Sequence, residues 1–184
     1  TRARNELVTA LMFAKVALML HAHKVVPPSR GGVDEVLTAL NALVEAIGVQ
    51  TIRENLRTFW SLVDESWGIA RVRYHDKAPY LKGSFLEIMA KLLSDHHDFW
   101  QGEDEKKLFV EASLRRKIHQ FPVTDPAVVQ LAGASGKSQE MLYMMLRDHV
   151  NSGKRHKKLK SRYGDQVILR PESDDEEDDV GKAA

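Results

Sequence analysis

The residues with the clearest chemical meaning form a dense run of bases near the C-terminus. Six of the nine residues from Lys154 to Arg162 are Lys or Arg. Positive charge at this density is suited to contact with the phosphates of a nucleic-acid backbone. A nuclear-localisation-type cluster and a solvated tail without a partner are the alternatives. The residues predicted for this contact, with a second basic triplet upstream, are Lys154, Arg155, Lys157, Lys158, Lys160, Arg162, Arg115, Arg116 and Lys117.

The segment before this run has the pattern of two short helices joined by a glycine-containing turn. Asp125 followed by Pro126 predicts a helix start, because the carboxylate caps the first turn and proline lacks an N–H there at no cost. We expect this helix to end near Ala132, where Gly133–Gly136 breaks it, and a second helix to span 137–150. The arrangement resembles the helix-turn-helix of DNA-binding proteins, with one additional glycine in the turn.

The resemblance implies that the second helix contacts bases or phosphates. Leu142 and Met145 are expected to face inward, and Gln166–Arg170 has strand character, so the basic run and this strand resemble the wing of a winged helix. A plain helical hairpin in an all-α core is the alternative. The residues of the second helix predicted to contact nucleic acid are Lys137, Ser138, Gln139, Tyr143 and Arg147.

Two further patterns are typical of enzymes. Gly136-Lys137-Ser138 looks like the end of a phosphate-binding loop, but Leu131 stands where that loop needs glycine and a helix is predicted before it. This argues against a nucleotide-binding loop.

The second pattern is Asp95-His96-His97-Asp98, which with His75-Asp76 and Asp148-His149 is similar to the ligand set of HD-type metal-dependent phosphohydrolases. Adjacent histidines on a helix point about 100° apart, so only one can face a shared centre. We predict no catalytic residue, no metal and no cofactor, and retain the phosphohydrolase as an alternative with His97 and Asp98 as its candidate ligands.

Charge is distributed unevenly along the chain. Its 184 residues carry a formal net charge of only +1, but the segment 171–184 holds seven acids and one base. Residues 1–170 therefore carry 26 bases against 19 acids, a net charge of +7. We expect the acidic segment to be a disordered tail that either competes with nucleic acid for the basic run or only aids solubility. The chain has no cysteine, which excludes disulfides and cysteine-ligated metals.

Apolar periodicity upstream predicts the elements that position these residues. A helix is expected over 33–47 with Gly48 at its end, a second helix with Thr51-x-x-Glu54 as its capping box, and a third from Phe85 that ends near Gly102. Short strands are considered at 69–74 and 108–110. The apolar stretch 7–20 is too short to cross a bilayer and has no signal-peptide cleavage site, so it is predicted to lie in the core or against a partner.

The sequence thus predicts an all-α, mainly helical protein. Residues 1–102 would form a helical domain for self-association or a protein partner, 103–170 a helix-turn-helix or winged-helix part with a possible β-hairpin wing, and 171–184 the acidic tail. The predicted function is non-catalytic nucleic-acid binding in a larger assembly, DNA rather than RNA, for plasmid or genome maintenance or transcription regulation. The alternative is a helical accessory subunit of an RNA-guided ribonucleoprotein complex, such as a CRISPR complex. The predicted location is cytoplasmic or nucleoid-associated, without membrane contact.

Overall fold

The computed structural model describes residues 9–29, 32–69, 78–132, 136–153 and 158–164. Over these ranges the chain is mainly helical, with one two-stranded antiparallel sheet, so the predicted all-α class is confirmed. The predicted strand 166–170 and all of 70–77 lie outside the described residues. The elements are α1 (Ala10–Leu20), α2 (Val33–Ile47), α3 (Val49–Trp67), α4 (Gly83–Asp95), β1 (Trp100–Gln101), β2 (Lys107–Leu108), α5 (Ala112–His119), α6 (Pro126–Leu131) and α7 (Lys137–Val150).

The apolar N-terminal stretch forms α1, a core helix. Thr9 caps it by accepting a hydrogen bond from the Met12 N–H at 3.2 Å. The helix packs mainly against α4 and also against α2. Its buried residues are Val16, Ala17, Leu18 and Leu20. Leu11 and Phe13 of the same helix remain 37% and 41% exposed, so the core buries the C-terminal half of α1 more completely than its N-terminal half.

A single residue, Gly48, joins α2 to α3. It has φ +81°, a conformation that glycine adopts without strain, and the two helix axes bend by 105° there. The predicted capping box is wrong, because α3 begins at Val49 and the carboxylate of Glu54 accepts a hydrogen bond from the Gln50 side chain at 2.9 Å. Gly48 reverses the chain before Thr51, so a cap at Thr51 is not needed.

Helix α4 ends at Asp95, seven residues before the predicted end near Gly102. His96 takes an extended conformation and forms an isolated β-bridge with Ser161. One 3-10 turn at His97–Phe99 then leads into β1. The pairing of His96 with a residue 65 positions away overrides the helical periodicity of this segment.

One apolar cluster holds the described part of the chain together. It includes Leu18 of α1, Phe59 of α3, Leu92 of α4, Ile118 of α5 and Leu146 of α7. The sheet pairs Trp100 with Leu108, so it crosses position 102, where the sequence predicts a domain boundary. In the described ranges no single helix is long and apolar enough to span a membrane; α2 and α3 reach that threshold only together and across their 105° bend.

Candidate nucleic-acid interface

The C-terminal ends of α5 and α7 meet at Lys117. The ammonium of Lys117 lies 3.3 Å from the Ser152 hydroxyl oxygen, just beyond the end of α7. The carbonyl of Lys117 accepts a hydrogen bond from Nε2 of His149 at 3.0 Å. These contacts bring the basic triplet of α5 to the start of the basic run, although the two are far apart in sequence.

The part of the basic run that the structure describes, from Lys158 onward, is tied to the end of α7. The side chain of Asn151 accepts a hydrogen bond from the Leu159 N–H at 2.8 Å, so the chain on either side of 154–157 is held together. Lys158 and Lys160 are exposed, whereas Leu159 between them packs against the core. In an extended segment this alternation places the two lysines about 7 Å apart on the same side.

We call this surface the basic end and define it by the exposed or half-buried basic residues Arg116, Lys117, His119, Lys158 and Lys160. Three of them lie in the last turn of α5, where the negative end of the helix dipole favours positive charge. This dipole contact is worth about 0.3–1 kcal/mol, so part of the cluster also serves helix stability. Lys154, Arg155 and Lys157 belong to the same run but lie outside the described residues.

Arg162 is not available to a nucleic acid, contrary to the sequence prediction. Its Nε donates to the Ser94 carbonyl at 2.8 Å, and its Nη1 pairs with the carboxylate of Glu105. The backbone N–H of Arg162 also donates to the Asp95 carbonyl at 2.8 Å. Arg162 therefore anchors the basic run to α4. Burial alone would raise the pKa of Glu105, but hydrogen bonds from His97 and Arg162 outweigh it and lower that pKa.

The sequence also predicted that Tyr143 contacts nucleic acid, but the structure buries this residue, which is only 3% exposed. Its hydroxyl donates to Oδ2 of Asp95 at 2.9 Å in the interface between α7 and α4. Of the two residues predicted to face inward, Leu142 is fully buried and Met145 is half-buried. The helix boundaries at Lys137 and Val150 agree with the prediction.

The solvent face of α7 is not basic. Its exposed residues are Lys137, Glu140, Met141 and Asp148. Ser138 and Gln139 are half-buried, and the Arg147 guanidinium pairs with Asp148 at 3.1 Å. Among the residues that the structure describes, this face exposes one base and two acids, so it is less suited to a phosphate backbone than the basic end.

The helix pair itself has the predicted caps. Asp125 accepts a hydrogen bond from the Ala127 N–H at 2.9 Å at the start of α6, and Ala132 at its end is fully buried. Gly136, the residue before α7, has the positive φ of +60° expected of a turn glycine. The intervening residues 133–135 lie outside the described ranges, and α6 spans only six residues. Because α6 is a helix, the phosphate-binding-loop pattern lacks the strand that should precede it.

Arg115 points away from the basic end. Its Nη1 pairs with the carboxylate of Glu65 on α3. Successive residues of a helix point about 100° apart, which explains why Arg115 and Arg116 serve different surfaces.

A buried ionic cluster lies behind the basic end and was not predicted. Lys91 pairs with Asp95 one turn further along α4, and both side chains are almost fully buried. The Lys91 ammonium also lies 5.0 Å above the ring centre of Tyr163. Burial raises the pKa of Asp95, while the charge and hydrogen bond of Lys91 and the hydroxyl of Tyr143 oppose that shift. The sequence signal was a Lys and an Asp four residues apart in the mainly apolar second half of α4.

The residues of the phosphohydrolase alternative are dispersed. His96 is buried, with Nδ1 2.8 Å from the Leu92 carbonyl, whereas His97 contacts Glu105 at 2.8 Å on the surface. The carboxylate of Asp98 accepts the Lys160 N–H at 2.6 Å. His75 and Asp76 lie outside the described residues. Among the residues that the structure describes, no group of three His, Asp or Glu side chains is close enough to bind a metal ion.

No known protein family, curated protein sequence or solved structure matches this chain.

Proposed function

We propose that the protein binds nucleic acid without catalysis, through electrostatic contact between the basic end and a sugar–phosphate backbone. The observation that carries the proposal is the contact of Lys117 with Ser152, which brings the basic triplet of α5 next to the residues that precede the basic run. The backbone N–H groups of Leu159 and Lys160 are held by Asn151 and Asp98, and Lys158 and Lys160 are exposed. This supports the proposal, because less backbone has to be ordered when a nucleic acid binds.

Backbone contact is favoured over base reading by the composition of α7. The helix assigned to recognition by its sequence pattern buries Tyr143 and exposes Glu140 and Asp148. The exposed Lys137 and the half-buried Ser138, Gln139 and Arg147 remain as side chains of α7 that could reach a base edge. A regulator that reads a DNA sequence would depend on residues of this set.

The same observation favours a second candidate, an accessory subunit of a ribonucleoprotein complex. Such a subunit supports a strand through its backbone and needs no base-reading helix. It would bind single-stranded RNA at least as well as double-stranded DNA, whereas a DNA-binding regulator would prefer the duplex.

The test is titration of the complete chain against fluorescently labelled double-stranded DNA, single-stranded DNA and single-stranded RNA at two salt concentrations. We expect binding that weakens steeply as salt rises, because bound phosphates release counterions. The order of the three affinities distinguishes the regulator from the ribonucleoprotein subunit. Absence of binding to all three at the lower salt concentration would refute the proposed function.

A further inference from the structure

Helix α2 exposes an apolar stripe that the described part of the chain does not cover. Val33, Leu37 and Val44 are 60%, 52% and 41% exposed. With the half-buried Leu40 they follow the i, i+4, i+7, i+11 spacing, so they lie within about 60° of one another around the helix and span about 16 Å along it. The core seam of α2 is separate and consists of Val36, Leu43 and Ile47. The stripe is therefore apolar surface beyond what the core uses.

The charges beside the stripe have one sign. Asp34, Glu35 and Glu45 are the ionisable residues of α2, all exposed, and the helix carries no base. Asp34 and Glu45 project about 100° from the middle of the stripe, on the side away from the core seam. This surface would repel a phosphate backbone or an anionic membrane, in contrast to the basic end.

We propose that the stripe docks an amphipathic helix of a partner protein that carries lysine or arginine beside its apolar residues. An apolar groove or stripe flanked by charge typically receives such a helix through anchors at i, i+3, i+4 and i+7. A second copy of α2 is a poorer occupant, because either orientation of two α2 helices brings carboxylates against carboxylates. The docking surface and the basic end are distinct in sequence, so the protein can join a partner to a nucleic acid.

The test uses two labelled helical peptides of about 18 residues with identical leucines at this spacing. One has lysines beside the leucines and the other has glutamates, and binding to the complete chain is followed by fluorescence anisotropy. We expect the lysine peptide to bind about tenfold more tightly than the glutamate peptide, from the loss of two attractive charge pairs and the gain of two repulsive ones.

Two double variants locate the contact. L37S/V44S should weaken both peptides, and D34N/E45Q should remove most of the preference for lysine. The matched control E103Q/E140Q removes two exposed carboxylates elsewhere and should leave the preference unchanged; M141S removes an exposed apolar side chain of α7 and should leave both affinities unchanged. Circular dichroism verifies that each variant retains its helix content.

Three results would overturn the proposal. The first is that neither peptide binds. The second is that E103Q/E140Q reduces the preference for lysine as much as D34N/E45Q does, which would mean unspecific charge attraction. The third is that light scattering shows a dimer that L37S/V44S dissociates, which would make a second copy of the chain the occupant.

Discussion

The hydroxyl of Tyr143 donates a hydrogen bond to Oδ2 of Asp95 at 2.9 Å, deep in the contact between α7 and α4. Asp95 also pairs with Lys91, so one carboxylate holds a cation of its own helix and a hydroxyl of another. A helix fastened to the core in this way presents only its opposite side to solvent, and that side of α7 is not basic. The contact therefore separates the structural role of α7 from the binding role of the basic end.

Removing the Tyr143 hydroxyl tests this separation. We expect Y143F to lower the free energy of unfolding by about 1–3 kcal/mol, because a buried carboxylate loses a donor. Its affinity for nucleic acid should not change. The measurements are chemical denaturation and titration with labelled nucleic acid. Y163F, which keeps the ring below Lys91, is the control and should change stability by less than about 0.5 kcal/mol. Weaker binding of folded Y143F would show that α7 contacts the ligand through this residue.

The Lys91–Asp95 pair predicts that the effects of substitutions at the two positions on stability are not additive. K91M should lower the free energy of unfolding by about 3–5 kcal/mol, because it leaves a buried carboxylate without its cation. In K91M/D95N the remaining group is neutral, so the double variant should be more stable than K91M alone. The free energies of unfolding of wild type, both single variants and the double variant form the cycle that measures this coupling. Additive losses would contradict an ion pair inside the core.

Two histidines with lowered pKa values, the buried His21 and the half-buried His23, predict acid sensitivity. Nδ1 of His21 lies 2.7 Å from the Ala17 carbonyl, and its Nε2 lies 3.0 Å from the side-chain nitrogen of Asn55. Burial lowers the pKa of His21 to about 4, and burial with the nearby charge of Arg162 lowers the pKa of His23 to about 3. Below the unfolded value of 6.5 the unfolded chain binds protons that the folded chain does not. Stability is therefore fully present above pH 6.5 and falls as pH drops towards 4.

The expected loss between these limits is about 1.4 kcal/mol per pH unit for each histidine. Denaturation at a series of pH values measures it. H21Q should reduce the slope, because one of the two histidines that cause it is then absent. Equal slopes for wild type and H21Q would mean that His21 is protonated in the folded chain.

The acidic segment 171–184 predicts that its removal raises the affinity for nucleic acid by an amount that depends on salt. Its seven acids follow the basic run closely in sequence, so they compete with nucleic acid at high effective concentration. Removing the segment should tighten binding at low salt, and the gain should shrink as salt screens the charges. A chain with an uncharged Gly/Ser segment of the same length is the control and should behave like the truncated chain. Identical affinities for the wild-type and truncated chains would contradict this competition and favour the alternative, that the segment only aids solubility.

Sequence patterns predicted the helix ends that depend on residues nearby in the sequence. The bounds of α7 and the Asp125 cap of α6 follow from periodicity and capping within a few residues. The end of α4 does not, because it depends on the bridge between His96 and Ser161. A contact so distant in sequence leaves no local pattern.

The candidate site was likewise predictable from the sequence only in part. The density of bases between 154 and 162 is visible in the sequence, and so is the triplet 115–117. Which of these bases face solvent is a tertiary property: Arg162 turns inward to Ser94 and Glu105, and Arg115 turns to Glu65. Residue type alone does not distinguish a base that binds a ligand from one that anchors a segment.

Base reading and backbone contact give opposite results in one pair of variants. Q139A and R147A should leave the ratio of affinities for different DNA sequences unchanged if α7 does not read bases. The measurement is competition between labelled duplexes of different sequence. A loss of sequence preference in either variant would restore the recognition role of α7.

The salt dependence of binding for two matched charge variants tests the basic end most directly. K158Q/K160Q removes two exposed lysines of the basic end, and R53Q/R57Q removes two exposed bases of α3. Each lost phosphate contact should reduce the slope of log K against log salt by about 0.9 on duplex DNA or about 0.7 on a single strand. The account predicts a reduced slope and weaker binding for K158Q/K160Q, with R53Q/R57Q close to wild type. Equal slopes for all three proteins, or a larger effect of R53Q/R57Q, would contradict it.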